Sequence, residues 1–153
     1  MTKRWGKAGS GILFVCGDEV LLLLRSQAVL EPNTWGIPGG AIQGTEGMFH
    51  DNEERELDYS EHTLTNAIKE TEEELGGFPD EVWKEHSPCI FQSGNFTYTT
   101  HVLELEPHVV DNWDITLNWE NDNAVWLPKN ELPENIHYGV RYLVDNHEFF
   151  KNT

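Results

Sequence analysis

The sequence predicts an α/β fold, a mixed β-sheet held between helices, and three observations carry that prediction. Gly11 to Cys16 and Val20 to Leu24 are nearly all apolar, with Gly17-Asp18 between them, so they read as two buried strands joined by a tight turn. A helix-sized stretch ending at Gly76-Gly77 places Leu64, Ile68, Thr71 and Leu75 on one narrow stripe at about 100° per residue. Phe96 to Leu105 alternates and is rich in β-formers, which makes it a strand late in the chain.

Met1 to Ala8 is a short basic lead to the first strand. Arg25 ends the second strand, Ser26 to Asn33 is a loop, and Trp35 stands beside the glycine turn Gly36-Ile37-Pro38-Gly39-Gly40 as a packing residue or a stacking platform. Met48 to Ser60 is acidic and thinly apolar, the pattern of a lid, a small added ribbon or a solvated insertion. Ser60 or Thr63 is expected to cap the helix, and Gly76-Gly77 to stop it. A strand around Cys89 to Gln92, a turn centred on Ser93-Gly94-Asn95 and the strand from Phe96 form a hairpin. A strand at Val125-Trp126 follows, then a closing helix from Val140 to Phe150 with Val140, Leu143, Val144 and His147 inward.

At 153 residues the chain reads as a single domain, residues 1–153, with an acidic insertion at about 47–61. Ten Lys and Arg against 27 Asp and Glu give a formal net charge of −17, which argues against a nucleic-acid-coating or anionic-membrane surface. A protein this negative needs a local positive centre if it is to handle a phosphate substrate, and a metal would supply one. Cys16 and Cys89 make neither a disulfide framework nor a metal spacing, as expected of buried thiols in a reducing cytosol. Asp18 and Glu19 break the apolar run behind Lys3, Arg4 and Lys7, so secretion is not expected and the location reads as cytoplasmic. His101, His108, His137 and His147 have no ligand spacing and read as structural or surface residues.

Glu70, Glu73 and Glu74 gather on one face of the helix, apart from the apolar stripe. Like charges three and four residues apart repel by a few tenths of a kcal/mol per pair, so the cluster is mildly destabilising unless a cation sits among it. Oxygen ligands favour a hard divalent ion, Mg²⁺ or Mn²⁺. Taken alone the helix would read as a solvated acidic face. The upstream turn shifts the balance, because Gly39-Gly40 after a proline lets the backbone approach a ligand closely and point carbonyls at the same ion.

Trp35-Gly36-Ile37-Pro38-Gly39-Gly40 followed by Lys69-Glu70-Thr71-Glu72-Glu73-Glu74-Leu75-Gly76 resembles the Nudix box, G-x5-E-x7-R-E-U-x-E-E-x-G-U, where U is aliphatic. Lys69 stands where that family has Arg, Thr71 and Gly77 where it has aliphatic residues. Gly40 and Glu46 keep the x5 spacing, but residues 47 to 68 number 22 where seven are expected. The alternative register takes Glu61 as the box glutamate, seven residues before Lys69, with the insertion then before Glu61.

The resemblance implies an α/β/α sandwich and metal-dependent hydrolysis of a nucleoside diphosphate linked to another group X. Carried over residue by residue, it implies Glu70, Glu73, Glu74 and the Gly39 carbonyl as ligands to Mg²⁺ or Mn²⁺, with Gly40 and Arg25 near the substrate. Lys69 would pair with a box carboxylate, more loosely than arginine would. The general base is Glu73, or a glutamate outside the box such as Glu120, which stands before the Val125-Trp126 strand with Asp122 as its alternative. The partner is a small nucleotide-type molecule, and relatives are commonly dimers, so a homodimer fits. A second class stays open: a Nudix-fold module that senses a nucleotide without cleaving it, for which the Lys69 and Thr71 departures leave room.

Overall fold

The two apolar runs at the start of the chain form the centre of the sheet. In the computed structural model, which describes residues 7–42 and 53–151 with side chains over 8–42 and 62–151, β1 spans Lys7–Cys16 and β2 spans Glu19–Arg25. Gly17, at φ 61°, takes the left-handed conformation that the tight connection between them requires. Two short strands follow, β3 (Trp35–Gly36) and β4 (Gly39–Ala41), and then the long helix α1 (Glu53–Leu75). The rest of the chain supplies β5 (Lys84–Ser93), β6 (Phe96–Glu104), α2 (Pro107–Asn112), β7 (Asn121–Pro128), α3 (Tyr138–Asn146) and α4 (Glu148–Lys151).

The strands make one seven-stranded sheet in the order β3-β2-β1-β6-β5, with β4 paired to β1 and β7 paired to β2. β1 and β6 run parallel over Lys7 to Val15, while the other pairs are antiparallel, so the sheet is mixed. Alternate residues of β1 serve opposite layers. Ile12 and Phe14 pack with Ala67 and Leu75 of α1, whereas Leu13 and Val15 pack with Val140 and Leu143 of α3. Burial on both faces is why β1 and β2 read as continuous apolar runs. Each fully buried Leu, Ile, Val or Phe there contributes roughly 1.5–3 kcal/mol, and Ile12, Leu13, Phe14, Val15 and Leu21 to Leu23 are all at most 1% exposed. The result is the expected α/β/α sandwich.

Several expectations need correction. The helix is not capped at Ser60 or Thr63: it begins at Glu53, so more than half of the acidic insertion belongs to it, and Thr63 is buried within it. The hydroxyl of Thr63 meets His101 Nε2 of β6 at 2.9 Å, which docks the helix on the sheet instead of starting it. Glu46 and the start of the acidic stretch at Met48 lie outside the described residues; Glu61 belongs to α1 by its backbone, but its side chain lies outside them. The closing helix starts at Tyr138 and is interrupted at His147, whose extended backbone (φ −88°, ψ 138°) separates α3 from α4. β5 reaches back to Lys84, with an irregularity between His86 and Cys89 where Pro88 cannot donate to the ladder.

Candidate active site

The buried stripe of α1 is wider than its apolar residues alone. Leu75, Ala67 and Thr71 are fully buried, and Asn66 and Glu74 are buried beside them. Thr71, where an aliphatic residue is expected, is tolerated because its hydroxyl donates to the Ala67 carbonyl one turn back at 2.7 Å. Glu74 therefore does not share an exposed carboxylate face with Glu73. It points into the sheet, where Oε2 accepts from the Gly39 N–H at 3.0 Å and Oε1 accepts from Asn121 Nδ2 at 2.9 Å.

The diglycine turn is drawn against this helix at three points. Asn66 Nδ2 donates to the Gly40 carbonyl at 3.1 Å and to Ser10 Oγ at 3.0 Å. Glu70 lies so close to Gly40 that an added Cβ would collide with its carboxylate. Gly39 gives its N–H to Glu74. Only glycine admits this approach, which is the close packing that Pro38-Gly39-Gly40 promises in the sequence.

The loop before β7 returns to the same place. Thr116 N–H bonds the Leu75 carbonyl at 2.8 Å and Asn118 N–H the Glu74 carbonyl at 3.2 Å, tying the loop to the end of α1. On its other side, Ser26 N–H donates to the Glu120 carbonyl at 2.9 Å and Ser26 Oγ to the Trp119 carbonyl at 2.8 Å. Asn118 Nδ2 holds Glu120 Oε1 at 3.1 Å. Glu120 is thus carried within electrostatic reach of Glu70 and Glu74, and Asp122 is exposed on the strand beyond.

The electrostatics follow from this crowding. Burial pushes Glu74 up to about 8, against the lowering effect of the Gly39 and Asn121 bonds, and the charges of Glu120 and Glu70 add to the rise. Glu70 is raised by burial, then by Glu73 and Glu120, and is eased by Lys69. Glu73 and Lys69 are both exposed, and among the described residues no carboxylate lies within ion-pair distance of Lys69. Glu70, Glu74 and Glu120 are hard oxygen donors close enough to raise one another's pKa, with Asn66, Asn121 and backbone groups as neutral supports, but no three of Glu70, Glu73, Glu74 and Glu120 bring ligand atoms within 4.8 Å of one another.

Arg25 stands at the opposite side of the turn. Its Nε and Nη2 both donate to the Leu30 carbonyl, at 2.9 and 2.6 Å, so it braces the loop after β2. A guanidinium has five N–H donors, and this leaves about three for another acceptor. Its stem packs on Gly36 near His137, whose pKa is lowered by burial and by the Arg25 charge.

A second group of ligand-type side chains lies elsewhere. Glu81, Glu106 and His108 bring one ligand atom each within 4.8 Å of one another, a set that could coordinate a divalent metal, and among the described residues it is the one such set. It is not part of the diglycine site. Tyr98 of β6 lies against Gly39, and Glu104, six residues further on, ends the strand roughly 20 Å away at about 3.3 Å per residue. His108 had no visible partner in the sequence because Glu81 approaches from a loop 25 positions before Glu106.

The sequence reading missed Asn66, Asn121 and Tyr98, polar residues without a charge pattern to mark them. For Tyr98 a faint signal existed: Gly9 and Gly11 stand two residues apart at the start of the first strand, a mark of close approach by another group.

No family model matches the sequence, and no curated protein matches it. Solved structures do. A NUDIX hydrolase from Nitrosomonas europaea superposes with a TM-score of 0.66 at 16% identity, covering 97% of this chain and 73% of that one. The MutT protein from Methanosarcina mazei Go1 gives 0.62 at 17% identity, covering 99% and 94%. A bifunctional NMN adenylyltransferase/ADP ribose pyrophosphatase from Francisella tularensis, complexed with AMP and a manganese ion, gives 0.60 at 14% identity over 92% of this chain and 41% of that one. At such identities the shared property is the architecture, and with the sheet order and helix placement above it establishes that this chain has the Nudix hydrolase fold.

Proposed function

We propose that the protein is a metal-dependent hydrolase that cleaves the diphosphate linkage of a nucleoside diphosphate joined to another group X. The observation that carries this reading is the docking of Gly39-Gly40 on Glu70 and Glu74, with Glu120 brought to the same place by a separate loop. Glu70, Glu73, Glu74, Glu120 and the Gly39 carbonyl would hold Mg²⁺ or Mn²⁺. When bound, such an ion neutralises diphosphate oxygens and lowers the pKa of the attacking water. Supporting this choice of substrate class, the Francisella tularensis neighbour is described with AMP and manganese.

Within this reading the chain's own residues divide the work. Glu74, fixed by two hydrogen bonds, sets the separation of helix and turn. Gly40, with no side chain, lets the diphosphate approach the backbone, and Arg25 offers its spare N–H groups to phosphate oxygens. Glu73, exposed to solvent, or Glu120 takes the proton from water as it attacks phosphorus and the bridging P–O bond breaks. Lys69 is proposed to pair with a box carboxylate once the site is loaded. The test is a hydrolysis screen over ADP-ribose, nucleotide sugars, dinucleoside polyphosphates and nucleoside triphosphates with Mg²⁺ and Mn²⁺, with products identified by mass in ¹⁸O-water. Label in one phosphate product is the expected result. Tight nucleotide binding without any product would instead favour the non-cleaving sensor.

A further inference from the structure

Gly39 has a neighbour on each face. Toward α1 its N–H meets Glu74; toward α3 its Cα meets the hydroxyl of Tyr98, close enough that any Cβ at Gly39 would collide with that oxygen. Tyr98 pairs in register with Gly9 of β1 and Phe91 of β5, and its ring lies across β1 where two side chains are missing. A Cβ at Gly9 would sit 2.9 Å from ring Cδ2, and one at Gly11 would sit 2.5 Å from the hydroxyl. Gly9 and Gly11 share the face of Leu13 and Val15, so the ring lies on the α3 side. Three glycines from two strands therefore cut a slot whose end is the Tyr98 hydroxyl at the diglycine turn.

That hydroxyl makes no hydrogen bond to any described residue, and it is not among the fully buried polar atoms that lack a partner, so it keeps access to solvent beside the turn. A phenol with no acceptor in the chain and access from outside can donate to water or to a ligand oxygen placed beside the turn. Burial, with the negative charge of Glu74, keeps the phenol protonated far above neutral pH, and the group is accordingly a donor. The positive charge of Arg25 also reaches it. One face of the turn thus carries carboxylates and the other carries N–H and O–H donors.

Resting on the hydrolase reading above, we infer that Tyr98 donates a hydrogen bond from its hydroxyl to a phosphate oxygen of the bound substrate, next to Arg25 on the α3 side of Gly39. It would be a binding residue that no feature of the helix motif includes. A neutral donor facing an anionic oxygen is among the stronger hydrogen bonds, and its removal is expected to weaken binding about tenfold or more.

The experiment is calorimetric titration of the parent, Tyr98→Phe and Tyr142→Phe with ADP and with inorganic diphosphate, each with Mg²⁺, alongside thermal melts and steady-state kinetics. Tyr98→Phe keeps the ring in its slot and should melt with the parent. Its Kd for both ligands should rise about tenfold, with KM rising in step and kcat within about twofold. Tyr142→Phe is the control, since that hydroxyl already bonds the Ile90 carbonyl at 3.3 Å away from the turn, and it should bind as the parent does. Equal affinity of Tyr98→Phe and parent for both ligands would overturn the inference, and so would a parent that binds neither. A parent that binds ADP in a Tyr98-dependent way but releases no product from any substrate would uphold Tyr98 and defeat the hydrolase reading instead.

Discussion

The Gly39 N–H and Glu74 Oε2 stand 3.0 Å apart, and this bond joins the glycine turn to the helix across 35 positions of sequence. Because Gly39 is also hemmed in by Gly11 and the Tyr98 hydroxyl, Gly39→Ala has no room to relax. Overpacking of this kind costs about 1–3 kcal/mol. The expected outcome is a variant destabilised by about that amount in urea unfolding and inactive at all Mg²⁺ concentrations. Parent-like stability would mean that the turn does not pack on Tyr98 as described.

Glu74 makes stability depend on pH. Its folded pKa, about 8, lies above the ordinary 4.5, so the folded protein holds a proton that the unfolded chain has released. Metal-free stability therefore falls as pH rises between those values, by up to about 1.4 kcal/mol per pH unit, and levels off above 8. His101 and His137 act oppositely: burial lowers both, so their contribution is lost as pH falls below the ordinary 6.5. Between pH 7 and 8 the Glu74 effect should dominate. Urea titrations in EDTA should show the decline, and Glu74→Gln or added Mg²⁺ should flatten it; an unchanged slope in the Gln variant would assign it to another group.

Glu73 is exposed, and Glu120 is bonded through Asn118 in a loop, so neither is needed for the core. Glu73→Gln should melt within a degree or two of the parent, as surface changes usually lie within about 0.5 kcal/mol, while turnover falls by at least about a hundredfold. Glu120→Gln should lower turnover by a smaller factor if Glu73 is the base and by a larger one if Glu120 is. Parent-rate hydrolysis by Glu73→Gln with Mg²⁺ would remove it from the site.

The Glu81, Glu106 and His108 group offers an internal control. Since it lies at the other end of β6, His108→Ala should leave kcat/KM within about twofold of the parent across a Mg²⁺ titration, because well-separated sites act almost independently. A shifted Mg²⁺ midpoint for activity would show that this group, and not the diglycine site, governs the metal requirement.

What could be read in the sequence follows its physical signals. The β1-β2 turn announced itself through Gly17-Asp18 between apolar runs, and the α1 stop through Gly76, which adopts φ 76°. The start of α1 did not, because polar residues from Glu53 onward form helix without an apolar stripe to reveal it. β3 and β4, at two and three residues, are too short for any periodicity, and α2 hides in six residues beginning at Pro107. At the site, charge drew attention to Glu70, Glu73, Glu74 and Glu120. It concealed the difference among them: Glu74 is buried because Gly39 and Asn121 satisfy it, and both partners are distant in sequence.

The most direct measurement is Mg²⁺-dependent release of nucleoside monophosphate from ADP-ribose and related diphosphates by the purified parent protein, read by mass in ¹⁸O-water. Product that carries one label, disappears in EDTA and is lost in Glu73→Gln and Gly39→Ala is the expected result. A well-folded parent that binds Mg²⁺ and nucleotide yet leaves every diphosphate intact would contradict it.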